Sequence, residues 1–233
     1  MALAHSPRIV TDGLVLCLDA GNTKSYSGSG TTWTDLSGDG NNGTFQNMGS
    51  SNLNSDNGGS LTFDGTNEYV NCGNPATLSF GTGNFTLSFV TYRTGTGFQG
   101  GGYVGKGNGT SEGFDFRDNN FFVHGTSGLI ASMSFASGTN TWQHHTFVFD
   151  RTSSPYIKRY LNGTYNSAST TNNSSNASGN INSGTNFRIG LSVAGGVNRY
   201  YIGRMSSVMA YNKALSAAEV QQNFNALRGR YGI

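Results

Sequence analysis

Charge is scarce in this chain. Only 11% of its 233 residues are charged, with a net charge of +2, against an ordinary charged share of about 25%. No basic run is longer than Lys158-Arg159 and the tail pair Arg228 and Arg230. A nucleic-acid surface calls for a basic stripe, so no nucleic-acid partner is expected. Cysteine is nearly absent too. Cys17 and Cys72 are too few for a disulfide framework and are expected to be buried thiols. No apolar run approaches the roughly 20 residues that span a bilayer, so no membrane partner is expected. Met1 to Arg8 lacks the apolar core of a secretory signal.

What is present is glycine, amide and aromatic. Glycine accounts for 35 of 233 residues, about twice its usual share of about 7%. Asn, Ser, Thr and Gly must therefore keep the surface wet. With 15 Phe, 11 Tyr and 35% hydrophobic residues, the chain can build a real core. Apolar residues alternate with polar ones at Phe85, Leu87 and Phe89, at His145, Phe147 and Phe149, and at Phe187, Ile189 and Leu191. That is the period of a strand with one buried face. Asp64-Gly65, Asn108-Gly109, Asn119-Asn120 and Asn162-Gly163 supply tight turns. The pattern predicts an all-β fold of antiparallel sheets packed face to face.

One helix is expected, at the C-terminal end. Ser216 and Glu219 have capping-box spacing, Leu215 and Val220 form a staple, and Val220, Phe224 and Leu227 make one apolar stripe. Gly229 is expected to stop the helix in a left-handed conformation. Residues 11–233 are read as a single domain, preceded by an arm, Met1 to Val10. Asn166 to Asn186, almost wholly Asn, Ser, Thr, Gly and Ala, is expected to be a long exposed loop or a weak edge strand.

Four segments together resemble the concanavalin A-like, laminin-G-type domains. They are Trp33 to Thr44, Ser60 to Val70, Trp142 to Asp150 with Tyr160-Leu161-Asn162-Gly163, and the final strand with its capped helix. The resemblance implies a jelly-roll sandwich. The opening Gly13 to Asn22 is similar to versions in virion proteins of tailed bacteriophages, notably those of marine bacteria. That likeness implies a structural protein on the virion surface, assembled in the host cytoplasm and present in multiple copies. Its partners would be a major capsid protein or tail components. A capsid decoration role is the leading expectation, because no heptads of a fibre appear. The alternative is a carbohydrate-binding tail module that attaches the particle to host-surface glycans.

Catalysis is not expected. A retaining glycosidase needs two carboxyl groups about 5 to 5.5 Å apart, and the chain has only three glutamates, Glu68, Glu112 and Glu219. In the richest cluster, Glu112, Asp115 and Asp118, the spacing turns Asp115 away from the others on a strand. Cys17 and Cys72 have no base nearby in sequence. His144 and His145, being adjacent, point to opposite faces and cannot chelate one metal, so one is expected buried and the other solvated. His124 is read as a strand-end residue. Calcium is the metal to consider, because relatives of this type often hold it. Asp64, Asn67 and Glu68 could supply oxygens around one turn and Asp35 and Asp39 could flank another, although turns demand these residues without any ion. Candidate glycan platforms are Tyr26, Trp33, Tyr103 and Tyr200, with core packing as the competing role.

Overall fold

The computed structural model describes residues 7–95, 101–117 and 119–233. Among these residues two large antiparallel sheets face each other. In the first the strand order is Thr164–Ala168, Ile157–Leu161, Trp142–Phe149, Phe85–Arg93, Ile202–Tyr211, Ser60–Asp64 and Leu53–Asn54, with Leu14–Asp19 also paired to Ile202–Tyr211. In the second it is Thr171–Asn172, Gly128–Ser134, Asn120–Gly125, Gly113–Arg117, Val104–Lys106, Arg188–Ile189, Tyr69–Asn71, Gly43–Gln46 and Thr32–Trp33. A hairpin, Leu191–Ala194 with Val197–Tyr200, stands apart from both. This is the all-β sandwich the alternation predicts. The Asn166 to Asn186 stretch contributes an edge strand, Thr171–Asn172, and Arg151 pins the following loop through Nη1 to the carbonyls of Ala177 at 2.6 Å and Gly179 at 2.8 Å.

The core is a stack of phenylalanines. Strand alternation turns Phe85, Leu87, Phe89, Phe147 and Phe149 inward from one sheet and Phe114, Phe116 and Phe121 inward from the other. Phe116 crosses the gap to Phe147, with ring centroids 4.8 Å apart at 71°, and stacks on Phe121 at 4.2 Å. Offset and edge-on pairs of this kind add about 0.5–1.5 kcal/mol beyond the area they bury.

The helix spans Ala217–Leu227, and its capping box forms as the spacing requires. Ser216 Oγ accepts from the Glu219 N–H at 3.3 Å, and Glu219 Oε2 accepts from the Ser216 N–H at 2.7 Å. Replacing Ser216 by alanine is expected to cost about 1 kcal/mol, the usual loss of a cap, read as a lower urea midpoint with an unchanged slope. Gly229 does not hold the left-handed turn expected of it. The chain continues from the helix into a 3-10 turn at Arg228–Arg230, and the left-handed residue is Gly232, at φ 66°.

Val220, Asn223, Phe224 and Leu227 bury the helix against the outer face of the first sheet. The chain ahead of Thr11 joins this contact: the Val10 N–H donates to Asn223 Oδ1 at 2.8 Å, and its carbonyl accepts from the Tyr211 hydroxyl. The first sheet is therefore covered on both faces, which overturns the expected split between the two histidines. His145 points into the sandwich. His144, on the opposite face, is buried as well, its ring stacked on Phe224 at 5.9 Å and 10°.

Candidate ligand-binding face

With the first sheet covered by the helix, the open face belongs to the second. Register sets what it presents. Phe122 pairs with Asp115 and Asn120 with Arg117, so these four side chains share one side, while Phe121 and Phe116 face the core. His124 lies two residues beyond Phe122 on that outer side. The Arg117 guanidinium lies over the Phe122 ring, 4.0 Å from its centroid, and the His124 ring flanks Phe122 at 6.2 Å and 25°. Arg117, Phe122 and His124 are all half-buried. They form a floor of cation, aromatic ring and imidazole.

Beneath that floor is Asp115, whose side chain is 2% exposed. Its Oδ2 lies 2.8 Å from Arg117 Nε. Burial pushes its carboxyl up to about 6, and the positive charges of Arg117 and Arg199 oppose that rise. Burial also lowers the His124 pKa, helped by the Arg117 charge, so the imidazole is neutral at pH 7. Arg117 Nη2 donates to the Gly109 carbonyl at 2.9 Å. His124 Nε2 is buried without a partner. The floor thus sets a guanidinium and an imidazole beside an aromatic ring.

The Leu191–Tyr200 hairpin walls one side of this floor. Glycines let it approach: a Cβ at Gly102 would meet the Arg199 carbonyl at 1.9 Å, and one at Gly105 the Leu191 carbonyl at 3.2 Å. Val197, 42% exposed, stands at the hairpin's rim.

Of the residues singled out from sequence, Asp115 and His124 lie in this floor, and the others fall elsewhere. Asp64, Asn67 and Glu68 shape the turn between two strands. Asp64 Oδ1 accepts from the Thr66 N–H at 2.7 Å, and Glu68 accepts from the Asp64 N–H at 2.8 Å and from Asn52 Nδ2 at 2.8 Å. Calcium needs six to eight oxygens. These carboxylates already serve N–H donors, and among the described residues no three His, Cys, Asp or Glu side chains gather as a metal cluster. The turn therefore does not fit a calcium cage. Asp35 organises its own loop, accepting from the backbone N–H groups of Cys17, Ser37 and Asn41, while Asp39 is exposed. Tyr26, Trp33 and Tyr103 are core residues at 2%, 0% and 0% exposure, which removes three of the four aromatic platforms. Tyr200 is half-buried on the hairpin. Glu112 is half-buried ahead of the Gly113–Arg117 strand, Asp118 lies outside the described residues, and among the described residues Asp115 is tied to arginine rather than to a second carboxyl group. Cys17 and Cys72 are free and buried, and burial pushes both thiols up to about 12.

Sequence reasoning missed Phe122 and Arg117. The signal was available in the Phe121-Phe122 pair, because adjacent strand residues face opposite ways and one ring had to point outward.

A sequence profile of the concanavalin A-like lectin/glucanases superfamily matches residues 64–221. The chain belongs to that superfamily. No curated protein matches it in sequence. Solved structures share the lectin-like fold at low identity. The binding domain of Paraclostridial Mosquitocidal Protein 1 superposes with a TM-score of 0.63 at 15% identity, covering 93% of this chain and 52% of that one. Domain 4 of an extracellular arabinanase from Geobacillus stearothermophilus, solved with arabinotriose, gives 0.61 at 14% identity, covering 90% and 97%. A botulinum neurotoxin type C structure, whose cell entry depends on interaction with two ganglioside molecules, gives 0.62 at 14% identity, covering 93% and 52%. This lectin-like chain spans about half the length of the two toxin chains and nearly all of the arabinanase domain.

Proposed function

We propose that the chain is a carbohydrate-binding module whose contact surface is the Arg117, Phe122 and His124 floor beside the Leu191–Tyr200 hairpin. The observation that carries this reading is the outward-facing Phe122 ring with the Arg117 guanidinium 4.0 Å over it and the His124 ring beside it, all three half-buried. A sugar presents apolar C–H faces and a rim of hydroxyls. The floor offers an apolar ring together with donors and acceptors to match, the combination that fixes a ligand's orientation in a site. Similarity to domains solved with arabinotriose or dependent on gangliosides supports the ligand class.

We read the module as binding without hydrolysis, since Asp115 is neutralised by Arg117 where a second carboxyl group would be needed. Its display on a phage particle, alone or in several copies, rests on the likeness of Gly13 to Asn22. Gold-labelled antibody on particles of the source virus tests that location.

The function is tested on a glycan array with the purified protein, with and without calcium. Saturable binding to a glycan class is expected, unaffected by chelator, and Phe122→Ala should weaken it at least tenfold while leaving the melting temperature within a few degrees. No binding on any array overturns the reading. Full affinity in the variant overturns the site.

A further inference from the structure

The inside of the sandwich holds a feature that sugar binding does not explain. Arg93 is 2% exposed, Arg159 1% and His145 0%. All three extend inward from the first sheet near the Tyr103 ring, whose centroid is 5.8 Å from the His145 ring. Arg159 Nη2 meets His145 Nδ1 at 3.1 Å. A guanidinium can only donate, so Nδ1 is the acceptor there and the histidine proton sits on Nε2. The remaining contacts of the pair of arginines are to neutral groups. Arg93 Nη1 donates to Asn119 Oδ1 at 2.6 Å, Arg159 Nη1 donates to Asn166 Oδ1 at 2.5 Å, and Arg159 lies 4.9 Å from the Phe135 ring centroid. Among the described residues no carboxylate pairs with either arginine.

Three buried N–H groups in this cluster, Arg93 Nε, Arg159 Nε and His145 Nε2, have no hydrogen-bond partner. All three are donors, and two belong to charged guanidinium groups. Burying an unpaired cation is among the costliest arrangements in a protein. Tyr103 gives Arg93 only a neutral partner: burial keeps the phenol protonated, and its hydroxyl donates to Ser137 Oγ at 2.8 Å. What the cluster lacks is a negative acceptor. We propose that it holds a small monovalent anion of halide size between Arg93, Arg159 and His145, so that the sandwich interior closes on a bound ion. A spherical ion accepts N–H donors from any direction, as this cluster of guanidinium and imidazole groups requires.

The experiment is an anomalous-diffraction map of the full chain crystallised in sodium bromide, paired with melting curves in chloride, bromide and gluconate at equal ionic strength. The expected result is a bromide peak within hydrogen-bonding distance of the Arg93 and Arg159 guanidinium groups. The melting temperature should also rise with the logarithm of halide concentration and stay flat in gluconate, as binding to the folded state alone requires. In Arg93→Met the halide dependence should vanish. If that variant does not fold, the bromide map of the unaltered chain decides. No bromide peak at the cluster, or equal melting in all three salts, overturns the proposal. Neither readout depends on sugar binding.

Discussion

Replacing Phe116 by alanine is expected to lower the unfolding free energy by about 3–5 kcal/mol, the range for deleting a buried aromatic side chain. Phe116 is fully buried and its ring centroid lies within 6.1 Å of the Phe89, Tyr103, Phe121, Phe135 and Phe147 ring centroids. Its ring bridges the two sheets through Phe147, 4.8 Å away, and is enclosed by other rings, so little can collapse into the space it leaves. Urea unfolding at pH 7 measures the loss. Phe116→Leu should recover more than half of it, because much of the volume returns. The double variant with Phe147→Ala should cost less than the sum of the singles, because the 4.8 Å pair is removed by either one. A loss below 1 kcal/mol for Phe116→Ala would mean that this ring does not sit at the centre of the core. Because Phe116 stands between Asp115 and Arg117 in sequence, the same substitution should also loosen the floor on the other face of its strand.

Acidification is the second large effect. His144 is buried beneath the helix and burial lowers its pKa from 6.5 to about 4, while burial inside the sandwich, with the Arg159 charge beside it, holds His145 well below 6.5. Between about pH 4 and 6.5 the unfolded chain binds protons that the native chain refuses. Stability is therefore complete above about pH 6.5 and falls as pH drops toward 4. A shift of this size at His144 alone corresponds to about 3 kcal/mol. Asp115 works in the opposite sense. Its raised pKa means that the native state holds a proton the unfolded chain has released, so its contribution falls as pH rises from about 4 to about 6. Two histidines outweigh one carboxyl group, and the net slope should be a loss toward acid. His144→Phe should keep the stack on Phe224 while removing one titration, leaving Ser88 its bond to Thr146 at 3.0 Å. Melting temperatures from pH 4 to 8 should then fall less steeply than in the unaltered chain. Parallel profiles would place the acid sensitivity elsewhere.

Local patterns carried much of the architecture. Phe85, Leu87 and Phe89 alternate because one face of their strand meets the other sheet, and Ser216 with Glu219 announced the helix start. What sequence could not convey was which outer face the helix would cover. That is a tertiary decision, and it turned His144 from an expected surface residue into a buried one. The same limit hid the site. Tyr103 and Trp33 sit in glycine-rich surroundings that look like open loops, yet both rings are drawn into the core where the sheets close. Arg117 and Phe122, which no sequence motif singled out, became neighbours through the register of the Gly113–Arg117 and Asn120–Gly125 strands. The acids at Asp64 and Glu68 are ambiguous in sequence, because a tight turn and a calcium loop use the same residues. Only their backbone N–H partners separate the two roles.

The central claim is that ligand meets the outer face of the Gly113–Arg117 and Asn120–Gly125 strands. Titrating the isotope-labelled chain with its best array glycan, followed by NMR, tests it most directly. Saturating shifts are expected at Arg117, Phe122, His124 and Val197, with the Asp64 to Glu68 turn and the helix unmoved. Saturating shifts centred on that turn, or on the helix side of the first sheet, would contradict it.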